Sequence, residues 1–178
     1  MKKTLLGECL AEFIGTFIFL FIGLGAVVSL VAGGSDITWA ELTLTWGFAV
    51  MLGVFIAGHV SGAHLNPAVT ISLAVWSVFQ RRKVIPYIAA QILGAFAGAA
   101  TVYAIYRNTI LAYEQGAGIV RSTAGGLATA GMFSTFPQSG LSLRQAGLTE
   151  LVMTAVLMLV ILAVTDGRNG AAPRAGLA

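Results

Sequence analysis

An asparagine, a proline and a run of small residues stand together in Ser61-Gly62-Ala63-His64-Leu65-Asn66-Pro67-Ala68-Val69-Thr70. Asn66 is a strong helix N-cap. Pro67 suits the first helical position, where the amide it lacks has no partner anyway. The helix that follows, 67–78, is ~18 Å long at ~1.5 Å per residue, about half of a ~30 Å hydrocarbon core. With Asn66, Pro67 and Ala68 at its head, its N-terminus points at the membrane midplane. Half-length helices placed this way build polar sites inside lipid in channels and transporters. The chemistry is recognition and passage rather than bond making.

Two acids add to the set. Glu12 and Glu150 lie inside apolar stretches, where an ionisable group is costly unless paired and is functional or structural by default. Each is followed by three apolar residues or glycine and then threonine, in Glu12-Phe13-Ile14-Gly15-Thr16 and Glu150-Leu151-Val152-Met153-Thr154. The echo marks an internal repeat. An odd number of crossings separates the two copies, so they are inverted in the membrane, which is a transport architecture.

These residues need spans to carry them. Four apolar segments are long enough: 5–32, 41–58, 84–106 and 143–165. The chain is 57% hydrophobic and 10% charged, less than half the charge that a soluble surface needs. Gly94 and Gly98, a small pair one helical turn apart, fit close helix packing in lipid. The expected class is an all-α membrane protein with one channel domain over 1–178. A first repeat covers 1–107 with its half-helix at 67–78. An external loop runs over 108–142, the first helix of a second repeat over 143–165, and a cytoplasmic tail over 166–178. Phe133-Ser134-Thr135-Phe136-Pro137 is either an ordered turn at the pore mouth or a plain connector.

The formal charge of +3 sits between apolar segments, as membrane orientation requires, and forms no basic stripe with interleaved aromatics, so nucleic acid is not a partner. Lys2, Lys3, Arg81, Arg82, Lys83, Arg168 and Arg174 fall on one side, and Arg107, Arg121 and Arg144 on the other. That excess places the N-terminus in the cytoplasm. The first apolar segment is of spanning rather than signal-peptide length, and Glu8 spoils the lipoprotein-like box ending at Cys9. The single cysteine excludes an internal disulfide. His59 and His64, five residues apart, do not share a helix face, so no metal is expected. Gly58-His59-Val60-Ser61-Gly62 puts serine one place late for an intramembrane serine protease, and no zinc-protease motif occurs, so the chain is not read as an enzyme.

The Ser61–Thr70 signature, Ala11-Glu12-Phe13-Ile14-Gly15-Thr16 and the stretch from Glu150 to Asp166 resemble the major intrinsic protein family, the aquaporins and aquaglyceroporins. Arg81-Arg82-Lys83-Val84-Ile85-Pro86, Phe133–Pro137 and Thr165-Asp166-Gly167-Arg168-Asn169-Gly170 are similar to its bacterial glycerol uptake facilitators. The resemblance implies a passive channel, without cofactor, for glycerol and other small neutral solutes with water. It implies an aquaporin-like inverted-repeat bundle in the bacterial inner membrane, assembled as a homo-tetramer. It also implies that Asn66 offers amide donors to a passing hydroxyl. The carbonyls of Gly62, Ala63, His64 and Leu65 then line the cytoplasmic half as acceptors, and positive half-helix ends disfavour cations. Trp46, beside Gly47, resembles the aromatic wall of a glycerol-permeable filter; alone, it reads as an interface anchor. Glu12 and Glu150 hold the loop backbones in shape.

The chain departs from the family pattern in having one Asn-Pro-Ala box. The second repeat is expected to be incomplete, lacking a facing half-helix and a filter arginine. Three readings follow: a C-terminally truncated channel, inactive in this form or not; a half-pore subunit that needs a complementary chain; or a membrane remnant without transport.

Overall fold

The computed structural model describes residues 4–76, 79–137, 140–166 and 169. These are helical, in the order α1 (Leu5–Val31), α2 (Trp39–Ser61), α3 (Pro67–Trp76), a 3₁₀ turn (Arg81–Lys83), α4 (Val84–Ala117), a second 3₁₀ turn (Ala124–Gly126), α5 (Leu127–Ala130) and α6 (Leu143–Thr165). Four of the segments are long and apolar enough to cross a membrane: Leu5–Val31, Trp39–Ser61, Arg81–Ala117 and Leu143–Thr165. Lys2, Lys3, Arg168, Arg174, the tail 170–178 and the half-helix positions 77–78 lie outside the described residues.

Local chemistry sets the helix ends. Thr4 caps α1, its hydroxyl accepting from the Gly7 amide at 3.1 Å. α2 opens on a capping box: Thr38 Oγ1 accepts from the Glu41 amide at 3.2 Å, and Glu41 Oε2 accepts from the Thr38 amide at 2.7 Å. Ser142 and Gln145 build the same box at the head of α6. Each box satisfies two amides that a helix start otherwise leaves unpaired.

The core is the packing of α1 between α2 and α4. α1 buries Glu8, Ala11, Glu12, Gly15, Thr16, Gly23, Leu24 and Val28, a stripe at three- and four-residue spacing. Small residues allow the approach on both sides. A Cβ on Gly98 would stand 2.9 Å from the Phe17 carbonyl, and one on Gly94 would run into the Phe13 carbonyl. On the α2 side, a Cβ on Gly53 would stand 2.8 Å from the Gly15 carbonyl. Backbone-to-backbone contact of this kind is how helices associate where lipid removes the hydrophobic drive.

The boundary that differs most from the sequence expectation is the end of α4. α4 continues through Arg107 and Asn108 to Ala117, so the connection to α6 begins at Gly118 rather than near 108. Polar residues end an apolar span, but they do not end a helix. Nothing before Gly118 breaks the pattern, and Ile110 and Glu114 are buried on its inner face. Gly118 takes φ 64° and the Ile119 amide returns to the Glu114 carbonyl at 2.9 Å, a glycine C-cap.

The α4–α6 connection is not a free strand of chain. Met132 is buried beside Leu24, Val28, Val102 and Ile110, and Phe133 meets Tyr103 edge-on at 6.2 Å. Glu114 Oε1 accepts from Arg121 Nε and from the Thr129 hydroxyl, each at 2.7 Å. Hydrogen bonding to Glu114 first, and to Tyr103 second, raises the Arg121 guanidinium above its ordinary range. Ser134 to Pro137 are exposed. α6 touches α3 and leaves Leu148, Leu151, Val152 and Met153 exposed among the described residues.

Candidate functional site: a re-entrant loop held by a buried carboxylate

The turn from α2 into α3 uses backbone that most side chains avoid. Gly62 has φ 90°, Ala63 49° and Leu65 51°. Left-handed conformations cost non-glycine residues ~1–2 kcal/mol each, so the surroundings must hold them.

Glu12 supplies that hold. Its Oε1 accepts from the Ser61 hydroxyl at 2.6 Å and the His64 amide at 2.9 Å. Its Oε2 accepts from the Leu65 amide at 2.7 Å and from Gln91 Nε2 at 2.8 Å. All four partners are donors, which is the set an acceptor-only carboxylate takes on two oxygens. The Ala63 amide donates to Ser61 Oγ at 3.0 Å, so every amide from Ala63 to Leu65 is tied directly or through one hydroxyl.

Thr70 is the second hub, on the first turn of α3. Gln91 Nε2 donates to its hydroxyl oxygen at 2.9 Å, while the Asn66 carbonyl and His64 Nδ1 each lie 3.1 Å away. All three are satisfied if the hydroxyl donates to Asn66 and His64 carries its proton on Nδ1. The His64 ring packs against Phe79 and Tyr87, with centroids 4.5 and 5.1 Å apart. Leu65 sits over two glycines: a Cβ on Gly15 or Gly53 would come within 2.6 or 2.9 Å of its methyl groups.

A further tie fixes the end of α2. Lys83 Nζ donates to both oxygens of Glu8, at 2.8 and 2.7 Å. The Tyr87 hydroxyl has one proton to share between Glu8 Oε2 at 3.1 Å and the Ser61 carbonyl at 3.0 Å. Tyr87→Phe removes the one donor on that carbonyl among the described residues. It should lower stability by about 1–2 kcal/mol, read as a fall in thermal midpoint in detergent, and an unchanged midpoint would deny the tie any weight.

At the head of α3 the Asn66 side chain accepts from the Ala68 amide at 2.8 Å. Its Nδ2 has no partner among the described residues, and neither do the carbonyls of Gly62, Ala63, His64 and Leu65. The loop's donors are therefore spent on Glu12, and its acceptors are left open. Trp46 lies half-buried on the α1–α2 seam, edge-on to Phe19 at 5.8 Å and against Gly23. Glu150 is exposed on α6 and accepts no hydrogen bond among the described residues, so the structure assembles one of the two acid-held loops.

Sequence reasoning had not assigned Ser61, Thr70, Gln91, Tyr87 or the Glu8–Lys83 pair. A signal existed for some of them. Glu8 lies four residues before Glu12, and Gln91 is a polar residue inside a span, three residues before Gly94.

The chain is similar to known proteins along its whole length. The family described as Major intrinsic protein matches residues 1–178. The chain is 47% identical over 178 residues to a glycerol uptake facilitator protein of Haemophilus influenzae, covering 100% of this chain and 67% of that one. It is 45% identical over 176 residues to the glycerol uptake facilitator protein of Escherichia coli (strain K12), covering 99% and 62%. It is 42% identical over 170 residues to a propanediol uptake facilitator of Citrobacter freundii, covering 96% and 63%. The solved aquaglyceroporin from Plasmodium falciparum superposes with a TM-score of 0.72 at 34% identity, over 92% of this chain and 62% of that one. The chain thus spans 62–67% of the length of these relatives. A whole-chain family match, close identity throughout and four membrane-length helices make this multi-pass membrane protein a member of the major intrinsic protein family.

Proposed function

We propose that this chain forms the first half of a passive channel for glycerol and other small neutral solutes, with water. One observation carries the reading: four successive carbonyls, Gly62 to Leu65, lead without partners among the described residues to a capped half-helix N-terminus between membrane-length helices. A polyol or water passing them exchanges solvent hydrogen bonds for carbonyl acceptors and then for the Asn66 amide. The half-helix dipole behind Asn66 adds positive potential and disfavours cations. Trp46 gives the carbon side of a polyol an apolar wall. The names of the relatives, facilitators of glycerol and propanediol uptake, support this class of permeant.

In this reading the N-terminus faces the cytoplasm of a bacterial inner membrane, and the chain assembles with copies of itself. The exposure of α6 and of Glu150 favours a second reading, in which another polypeptide segment completes the pore against this face.

Glycerol-driven light scattering of proteoliposomes tests both readings. Glycerol flux above empty liposomes that falls on Trp46→Ala supports a working pore in this chain. Asn66→Asp keeps the cap oxygen but loses the amide donors, so it should reduce flux while α3 persists. Flux at the empty-liposome level from inserted, folded protein would favour the completed half-pore instead.

A further inference from the structure

Trp46 lies flat on a glycine. A Cβ on Gly23 would run into Cε3 and Cζ3 of the indole and stand 2.6 Å from Cη2. These are three neighbouring carbons of the six-membered ring at nearly one distance, so the missing methyl would stand over the face of that ring. Phe19, one turn earlier on α1, meets the indole edge-on at 5.8 Å. It also lines a cavity of about 240 Å³ at the head of α3, together with Leu65 and Asn66. The indole is thus backed by α1 and bordered by a residue that reaches the half-helix.

Glycine is a poor helix former, so its place inside a 27-residue helix calls for a reason. Gly25, two residues on in the same helix, has nothing within 4 Å of its Cβ position. Gly23 is buried, and the space its side chain leaves is the space the ring fills. Carbon atoms in contact lie ~3.5–4.0 Å apart, so a methyl at position 23 would push the ring off α1 by about 1 Å or more. With a helix against one face, the ring can move only toward the other.

We infer that Gly23 is a positioning residue for permeant size: the seat it leaves on α1 draws Trp46 back and sets how wide a solute can pass the ring. The inference rests on the reading of Trp46 as the apolar wall of a glycerol path. A ring pushed forward narrows that path, and glycerol, the wider permeant, loses more than water does. Gly23→Ala therefore acts on selectivity from behind the ring.

Light scattering of proteoliposomes holding the full chain measures glycerol and water permeability for the wild type, Gly23→Ala and Gly25→Ala. Gly23→Ala should lower the glycerol-to-water ratio by about tenfold, the low end of what one methyl group is worth in a fitted apolar site. Gly25→Ala should keep the wild-type ratio. In Trp46→Phe, whose ring is smaller, adding Gly23→Ala should leave the ratio where Trp46→Phe alone puts it. That pair decides the matter should Gly23→Ala alone not fold, and a pair that also fails to fold would overturn the inference, since the ring would not be the cause. Equal ratios in Gly23→Ala and the wild type, or the same fall in the Trp46→Phe background, would overturn it while the channel reading stands. A wild type without glycerol flux above empty liposomes would overturn it together with the working-pore reading.

Discussion

Glu12→Gln should destabilise the protein by about 2–5 kcal/mol and reduce glycerol flux to the empty-liposome level. The change is nearly isosteric, so the effect isolates hydrogen-bond polarity. Both carboxylate oxygens face donors only, two on each. A carboxamide can offer an oxygen to one pair, but it must turn an NH₂ toward the other. Either orientation leaves two buried donors against two more, at roughly 1–3 kcal/mol for each unmet group. Flipping the amide exchanges one conflict for the other.

The consequence reaches the loop because Ala63 and Leu65 stand in left-handed backbone. Without the clamp they relax, and the open carbonyls of residues 62–65 leave their places. Ser61→Ala is the graded control. It removes one of four donors to Glu12 and the acceptor for the Ala63 amide, so about 1–2 kcal/mol should be lost. Thermal unfolding in detergent and glycerol light scattering measure the two effects. A Glu12→Gln protein that unfolds at the wild-type temperature would sink the carboxylate clamp.

The spans and the half-helix were legible in the sequence because each is written in local chemistry. Apolar length marked the four crossings, Asn66-Pro67 marked the start of α3, and Ser142 with Gln145 marks a start that apolarity alone already placed at Leu143. The start of α2 was placed two residues late, since the Thr38–Glu41 box lies outside the apolar run. The length of α4 was hidden for the same reason: its last turns are polar, yet their inner face is buried.

The site divided along the same line. Glu12 was visible as an acid inside a span. Its partners came from residues 49 to 79 positions away, and no local pattern pairs Ser61, Leu65 and Gln91 with it. Which of two equivalent acids has a loop to hold also depends on what packs beside it. Glu12 is buried where Ser61 of α2 and Gln91 of α4 reach it, and Glu150 is exposed and accepts no hydrogen bond among the described residues.

Gly94→Ala should be the most damaging single-methyl change on the α1–α4 seam. The added Cβ would lie against the carbonyl oxygen, carbon and Cα of Phe13, all main-chain atoms of α1. A flexible side chain could swing away from a methyl, but a helix backbone cannot. α1 and α4 must therefore separate locally, and overpacking of this kind costs about 1–3 kcal/mol or more. Gly47→Ala is the matched control, because a Cβ there meets nothing within 4 Å. It should be neutral or slightly stabilising, since alanine is the better helix former by ~1 kcal/mol. Position adds a functional loss to the steric one. Gly94 lies one turn beyond Gln91, and Phe13 follows Glu12, so the helices part at the point where Gln91 donates to Glu12 at 2.8 Å. Thermal midpoints of the two alanine variants give the packing term. Glycerol flux per folded protein gives the loop term, and it should fall in Gly94→Ala even at temperatures where that variant stays folded. Equal midpoints for Gly94→Ala and Gly47→Ala would show that the α1–α4 seam is not closed through this glycine.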